Sequence, residues 1–204
     1  MKVRVDVGKF PSAARRIVLD WYRWQEAYVR VMGKQLGGPP IPMATPEYSF
    51  WLATPPFMER GELRLGIGGM HHYVIETAEG WRLDQAERND RRPVVELRNF
   101  PDMEKFLLCL MGEAAYKGDY TQAPYYRWYE QGVAPGVTLQ PVDPQNEYSP
   151  VYLIVEGEPQ GSTRQSEAIS FSHPLLMTYE EIETLYRSKI PSEMFTIDVV
   201  PIDD

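Results

Sequence analysis

The chain has 204 residues, of which 43% are apolar and 25% charged, so we expect a globular protein with a single domain over residues 1–204. A single cysteine, Cys109, excludes an internal disulfide, and no apolar stretch is long enough to predict a transmembrane helix. The net charge of −8 argues against nucleic acid and anionic membranes as partners and favours a basic protein partner, although the same charge also serves solubility.

The N-terminal residues predict a strand followed by a long helix. Valines at positions 3, 5 and 7 alternate as in a strand instead of forming the apolar run of a signal peptide, which favours a cytoplasmic location. From Ser12 to about Met32 apolar residues recur at spacings of three and four, and we expect Gly33 and Gly37-Gly38 to end this helix. We predict that this stripe is buried against the sheet; it contains Ile17, Trp21, Trp24, Tyr28 and Val31. Residues 37–46 contain four prolines and predict a connector.

The rest of the chain predicts an antiparallel meander with further helices. Short β-prone segments separated by turn residues cover residues 48–53, 62–67, 71–77 and 80–86. One helix is predicted from its N-cap Asn99 to Gly112 or Gly118, and another from the capping box of Thr178 and Glu181 to a point before Pro191. Further strands are predicted near residues 137–142, 151–156, 167–172 and 194–200. The fold class is therefore α+β, with a largely antiparallel sheet and about three helices packed against it.

No arrangement of residues in the sequence predicts catalysis, a metal or a cofactor. His71 and His72 are adjacent, so on a strand they point to opposite faces and do not share one metal ion. Residues 66–69 are rich in glycine but precede a strand-like segment, which favours a bulge or a strand bend over a phosphate-binding loop. Cys109 lies in an apolar helix, as packed thiols do. We therefore predict a protein without enzymatic activity, although a sequence does not reveal which carboxylates converge in space.

Aromatic residues are crowded into one stretch that follows no helical or strand period: Tyr116, Tyr120, Tyr125, Tyr126, Trp128 and Tyr129. Tyrosine and tryptophan are enriched in interfaces, so we predict that Tyr125, Tyr126 and Trp128 bind a partner. The alternative is that these side chains cover the core beneath a loop. Glu156 and Glu158 lie in a polar segment, residues 156–162, and are predicted to meet a basic partner, with a solvated turn as the alternative.

Three segments of the chain resemble a known family. They are a Gly-Glu-Leu-Arg segment at residues 61–64, a strand at residues 73–75 that returns through Gly80 and Trp81 to residues 87–88, and a helix from Met103 to Gly112. In this order they are similar to bacterial immunity proteins of polymorphic-toxin systems, in particular the mycobacterial and actinobacterial group that includes the immunity factor for tuberculosis necrotizing toxin. The resemblance implies a cytoplasmic antitoxin that binds a cognate secreted toxin and blocks its active site, in a group whose toxins include NAD glycohydrolases.

Two other classes of function are consistent with the sequence. In the first, the protein is a small enzyme or ligand-binding domain with a pocket between the meander and the first helix, lined by Trp21, Trp24, Trp51 or Trp81. In the second, it is a subunit of a larger assembly and forms a stable homo-oligomer. The sequence leaves the oligomeric state open. A toxin-like reading frame beside the gene favours immunity, whereas a metabolic operon favours an enzyme.

Overall fold

The computed structural model describes residues 2–35, 55–87 and 90–202. The predicted connector at residues 37–46, the predicted strand at residues 48–53, Trp51 and Arg88 lie outside the described residues. Within them the fold is α+β, as the sequence predicts, with two sheets and five α-helices instead of about three.

The main sheet is antiparallel and contains eight strands of the described chain: β2 (Phe57–Glu59), β3 (Glu62–Ile67), β4 (Met70–Thr77), β5 (Gly80–Glu87), β6 (Asp90–Leu97), β7 (Val137–Pro141), β8 (Val151–Val155) and β9 (Glu158–Thr163). Their order across the sheet is β2-β3-β4-β5-β6-β9-β8-β7. Strands β3 to β5 are the predicted meander. The β7–β8–β9 unit continues the sheet because β9 pairs with β6. This pairing is short and covers three residue pairs.

The helices are α1 (Arg15–Gln35), α2 (Phe100–Ala115), α3 (Pro124–Gln131), α4 (Gln165–Leu175) and α5 (Tyr179–Arg187). Helix α2 lies across β3, β5 and β6, while α4 lies across β7, β8 and β9. Both helices cover the face of the sheet whose alternate side chains are buried, such as Leu63, Leu65 and Ile67 on β3. Helices α1 and α5 pack against α2, and α3 packs against α4.

The predicted helix starts are confirmed by their capping contacts. The side chain of Asn99 accepts a hydrogen bond of 2.9 Å from the backbone N–H of Asp102. Thr178 and Glu181 form a capping box, in which the Glu181 N–H donates to Thr178 Oγ1 at 3.2 Å and the Thr178 N–H donates to Glu181 Oε2 at 2.8 Å. Both caps satisfy backbone donors that a helix leaves unpaired at its first turn.

The apolar stripe of α1 is buried at Ile17, Trp21, Trp24 and Tyr28, but it packs mainly against α2 and not against the sheet, so the predicted packing partner is wrong. Trp21 reaches the sheet, because its indole N–H donates to the carbonyl oxygen of Gly66 at 2.6 Å. Trp24 instead packs edge-on against Tyr186 of α5 and Phe195 near the C-terminal strand. The helix continues through Gly33 to residue 35, slightly beyond the predicted end near Met32, because a glycine lowers helix stability without ending the helix.

A second, parallel sheet joins β1 (Lys2–Asp6) to β10 (Asp198–Ile202). Glu26 of α1 is fully buried and holds the segment before β10, since it accepts hydrogen bonds from the backbone N–H groups of Thr196 at 2.8 Å and Ile197 at 2.9 Å. The guanidinium of Arg30 pairs with the same carboxylate at 2.7 Å. A buried charge is tolerated here because every lone pair has a donor.

Two predictions about single elements are wrong. Residues 167–172 are helical and belong to α4, whose buried residues include Ala168, Phe171, Ser172 and Leu175 at the spacing of one helix face. The glycine-rich segment is a tight hairpin turn and not a bulge or a strand bend: Gly68 and Gly69 have φ values of 60° and 85°, and Ile67 pairs with Met70. Two consecutive positive φ angles are characteristic of the hairpin turns that match the twist of a sheet.

Candidate partner-binding surface

The crowded aromatic stretch forms the short helix α3, and its inner face is packed into the core. Trp128 is 7% exposed and lies edge-on against Tyr186. Tyr125 donates its backbone N–H to Glu113 Oε1 at 3.1 Å and its hydroxyl to Glu167 Oε2 at 3.0 Å. Trp128 and Tyr125, two of the predicted partner-binding residues, therefore hold the helix in place.

The carboxylate of Glu113, on α2, connects α3 to the core. Glu113 accepts the hydrogen bond from the Tyr125 N–H and a second one of 2.9 Å from the hydroxyl of Tyr186. Burial raises the pKa of Glu113, although both hydrogen bonds act in the opposite direction. The neighbouring Cys109 is also buried, and burial raises the pKa of its thiol well above the ordinary value. The thiol is therefore a packed and unreactive group.

Three tyrosines and one valine on the outer side of α3 and just beyond its two ends form a group that we call the aromatic stripe: Tyr120, Tyr129 and Val133 are exposed, and Tyr126 is half-buried. Tyr120 is 70% exposed and stands edge-on to Tyr126, with ring centroids 5.2 Å apart. Tyr129 is 44% exposed, and Val133 follows it by four residues. Of the predicted partner-binding aromatics, Tyr126 is the one on this face.

The predicted acidic residues lie at the turn between β8 and β9. Glu156 and Gly157 form the turn with φ values of 53° and 84°, and Glu156 is exposed. Glu158 begins β9 and forms an ion pair of 3.3 Å with Arg98, in which both side chains remain largely exposed. An exposed pair of this kind contributes little to stability. Because Glu156 and Glu158 are both exposed, their carboxylates are accessible to another molecule.

The topology places the end of the aromatic stripe and this turn at the same end of the β7–β8 pair. Val137, four residues after Val133, pairs with Val155, which precedes Glu156. The chain leaving the aromatic stripe thus enters the β7–β8 hairpin at the end where the Glu156 turn lies.

Charge and exposed apolar surface coincide in this part of the chain. Residues 128–163 contain five acidic residues and no Lys, Arg or His: Glu130, Asp143, Glu147, Glu156 and Glu158. Most of the exposed large apolar side chains of the described residues lie in this run, namely Tyr129, Val133, Val142, Tyr148 and Tyr152. Exposed apolar groups that cluster in this way mark interaction sites. We call the run the acidic segment; a count of charges along the sequence would have found it.

The space between α1 and the meander is filled by side chains. Within the described part of the chain, the cavity at this place has a volume of about 10 Å³ and is lined by residues that include Trp21, Trp24 and Tyr28. That volume is smaller than a small-molecule site by more than an order of magnitude. A shallow groove of about 770 Å³ lies elsewhere, between the β4–β5 turn and the β8–β9 hairpin, and Trp81 and Tyr152 line it.

The described residues contain no group of three His, Cys, Asp or Glu side chains that could hold a metal ion. His72 lies on the buried face of β4, where burial lowers its pKa to about 4, and His71 points to the opposite face. None of the helices in the described ranges is both long and apolar enough to span a bilayer.

Over residues 50–189 the chain matches a family model of immunity proteins. That model is Immunity protein 61, and because it spans most of the sequence, the chain belongs to the Immunity protein 61 family. The resemblance to immunity proteins is thereby confirmed, and family membership supports an antitoxin role and suggests a protein that is not an enzyme.

One solved structure shares the fold. Rv3902c from M. tuberculosis superposes with a TM-score of 0.56 over 90% of this chain and 92% of its own, at 13% sequence identity. No curated protein matches the sequence significantly.

Proposed function

We propose that the protein is an antitoxin that binds a cognate secreted toxin one-to-one and blocks its active site without turning over a substrate. Membership in the Immunity protein 61 family supports this role. The observation that carries the proposal is the coincidence of exposed aromatic side chains with the cation-free acidic segment. Such a surface is complementary to a basic protein.

We further propose a toxin of the NAD glycohydrolase class, acting in the cytoplasm. NAD carries a pyrophosphate, and an enzyme that binds it provides cations or helix N-termini in its cleft. A surface with an excess of acidic side chains is attracted to such a cleft and repelled by an acidic one. The antitoxin then excludes NAD by occupying the cleft.

The residues have different roles in this proposal. Tyr126 contacts the toxin together with its exposed neighbours Tyr120 and Tyr129, while Glu156 and Glu158 meet basic side chains of the toxin. Tyr125 and Trp128 act through their position, because their contacts with Glu167 and Tyr186 fix the helix that presents Tyr126.

The test uses the toxin encoded beside the gene. We expect its activity to fall linearly as this protein is added and to reach zero at a molar ratio of one, independent of the time of incubation. Tyr126→Ala should weaken binding by about thirtyfold with unchanged unfolding, since a hot-spot residue contributes about 2 kcal/mol. Leu176→Ala, an exposed apolar residue outside the acidic segment, serves as the control. Toxin activity that persists with an excess of this protein contradicts the proposal.

A further inference from the structure

The connection between β7 and β8, residues 142–149, is an exposed loop that is held by its own hydrogen bonds. Asp143 Oδ1 accepts from the Gln145 N–H at 3.0 Å, and Asn146 Oδ1 accepts from the Tyr148 N–H at 3.0 Å. The loop is closed by the Asp143 N–H, which donates to Ser149 Oγ at 2.8 Å. Side-chain contacts of this kind fix a turn that would otherwise sample many conformations.

Tyr148 lies near the C-terminal end of this loop and is 86% exposed, more than any other exposed large apolar residue of the described chain. Its backbone is tied to Asn146, yet its ring makes no aromatic or hydrogen-bond contact within the described ranges. A tyrosine ring carries a large apolar area and has few rotatable bonds, so it loses little entropy when it is captured by a partner. The fold therefore fixes the backbone at Tyr148 and does not use the ring for its own stability.

The charges around Tyr148 determine what it fits. Asp143 and Glu147 flank the ring in the loop, and the loop lies within the acidic segment, which has no cation. The side chain of Glu147 forms no hydrogen bond or ion pair with the described residues, so its charge is uncompensated. A partner that receives the loop must provide an apolar recess rimmed by Lys or Arg side chains.

The geometry points to the loop of residues 142–149 as the anchor of the toxin interface: we propose that Tyr148 enters a recess in the toxin's cation-lined cleft, with Glu147 and Asp143 paired to its rim. This inference rests on the proposed function, because it names the part of the antitoxin that enters the toxin. The loop lies at the Pro141–Val151 end of the β7–β8 pair and the Glu156 turn lies at the other end. Five strand residues span about 17 Å, which fits within one interface of ordinary size.

The ordered state of the loop matters for this role. A loop that must become ordered when it binds loses affinity, whereas a loop already fixed in the free protein does not. Asn146→Ala removes the acceptor of the Tyr148 N–H and leaves the ring in place. We expect this variant to bind more weakly than the unchanged protein and more tightly than Tyr148→Ala.

The experiment measures binding of the neighbouring-gene toxin by the full-length chain and its variants, together with thermal unfolding. Tyr148→Ala should raise the dissociation constant by at least about thirtyfold, mainly through faster dissociation, with an unchanged unfolding temperature. Tyr148→Phe keeps the ring and should retain most of the affinity. The double variant Asp143→Asn/Glu147→Gln keeps the loop acceptors and removes two charges, so it should slow association about fivefold and reduce its salt dependence. Glu76→Gln, an exposed acid outside the acidic segment, is the matched control.

The experiment distinguishes the role of the loop from the antitoxin role itself. A toxin that is fully inhibited and bound equally well by Tyr148→Ala and by the unchanged chain overturns the loop inference and leaves the antitoxin role standing. Equal losses for Glu76→Gln and the double charge variant overturn the charge pairing. A toxin that the unchanged chain neither binds nor inhibits overturns both.

Discussion

The indole of Trp128 stacks on the imidazole of His173, with ring centroids 6.2 Å apart and planes within 11° of parallel. His173 in turn bonds through Nε2 to the carbonyl oxygen of Gly132 at 2.8 Å, just beyond the end of α3. The stack thus joins α3 to α4 from the inside, below the face that carries Tyr126 and Tyr129.

We predict that Trp128→Ala destabilises the fold by about 3–5 kcal/mol, because it removes a buried indole and leaves a cavity between α3, α4 and Tyr186. Tyr129→Ala, on the exposed face of the same helix, should change the free energy of unfolding by less than about 0.5 kcal/mol. Urea unfolding followed by circular dichroism measures both. Equal stabilities for the two variants would mean that Trp128 is not part of the core.

A second prediction concerns Glu26, the buried carboxylate of α1. Glu26→Ala leaves the N–H groups of Thr196 and Ile197 and the guanidinium of Arg30 without their acceptor, so we expect a loss of about 3–5 kcal/mol. Glu26→Gln keeps one acceptor oxygen and should lose less. Chemical denaturation is the measurement, with the exposed Glu76→Ala as control, and a loss no larger than that of the control would refute the prediction.

A third prediction concerns the dependence of stability on pH. Burial lowers the pKa of His72 from 6.5 to about 4, so between these values the unfolded chain binds a proton that the folded chain does not. The stability that comes from keeping His72 neutral is fully present above pH 6.5 and is lost as the pH falls towards 4. Each pKa unit corresponds to about 1.36 kcal/mol, so the free energy of unfolding should fall by about 3 kcal/mol over this range.

The matched variants are His72→Gln, which cannot titrate, and His71→Gln on the half-buried opposite face. Between pH 4 and pH 6.5, the urea midpoint of His72→Gln should depend less on pH than that of the unchanged chain, and His71→Gln should retain most of the dependence. The same slope for all three proteins would show that His72 is not the titrating group.

A fourth prediction concerns Gly112 of α2, where two effects oppose each other. Alanine is the better helix former by about 1 kcal/mol, but a Cβ at this position would lie 2.5 Å from the ring of Tyr186. That ring is fully buried and its hydroxyl is held by Glu113, so it cannot move aside. Overpacking costs about 1–3 kcal/mol, and we expect Gly112→Ala to be destabilising.

A double-mutant cycle tests the cause of this loss. In a Tyr186→Leu background the ring is gone, so Gly112→Ala should cost less than it does in the unchanged chain. The measurement is the change in unfolding free energy caused by Gly112→Ala in each of the two backgrounds. An identical change in both would exclude the ring as the cause.

The elements that the sequence predicts correctly are those with strong local patterns. The stripe of α1 extends over four turns, and α2 and α5 begin with side-chain caps that act within four residues. The predicted strands of the meander follow one another and pair through short turns, so that neighbours in sequence are neighbours in the sheet.

The missed elements lack such patterns or depend on distant partners. In α4 the buried face includes Ser170 and Ser172, whose polar side chains hide the apolar spacing. Helix α3 has eight residues, too few for a period to be recognised, and so the sequence did not separate the inward Trp128 from the outward Tyr126. Strand β9 pairs with β6, about 65 residues away in the chain, and no local rule predicts that contact.

Strands β1 and β10 come from opposite ends of the described sequence, and they pair in parallel. During synthesis the ribosome makes α1, the main sheet and the remaining helices before it makes β10. Until then β1 lacks its partner strand, and Glu26 lacks the N–H donors of the segment before β10. Chaperones and proteases therefore have access to an incomplete fold for as long as translation takes. A ribosome that stalls before residue 198 yields a chain whose first strand has nothing to pair with.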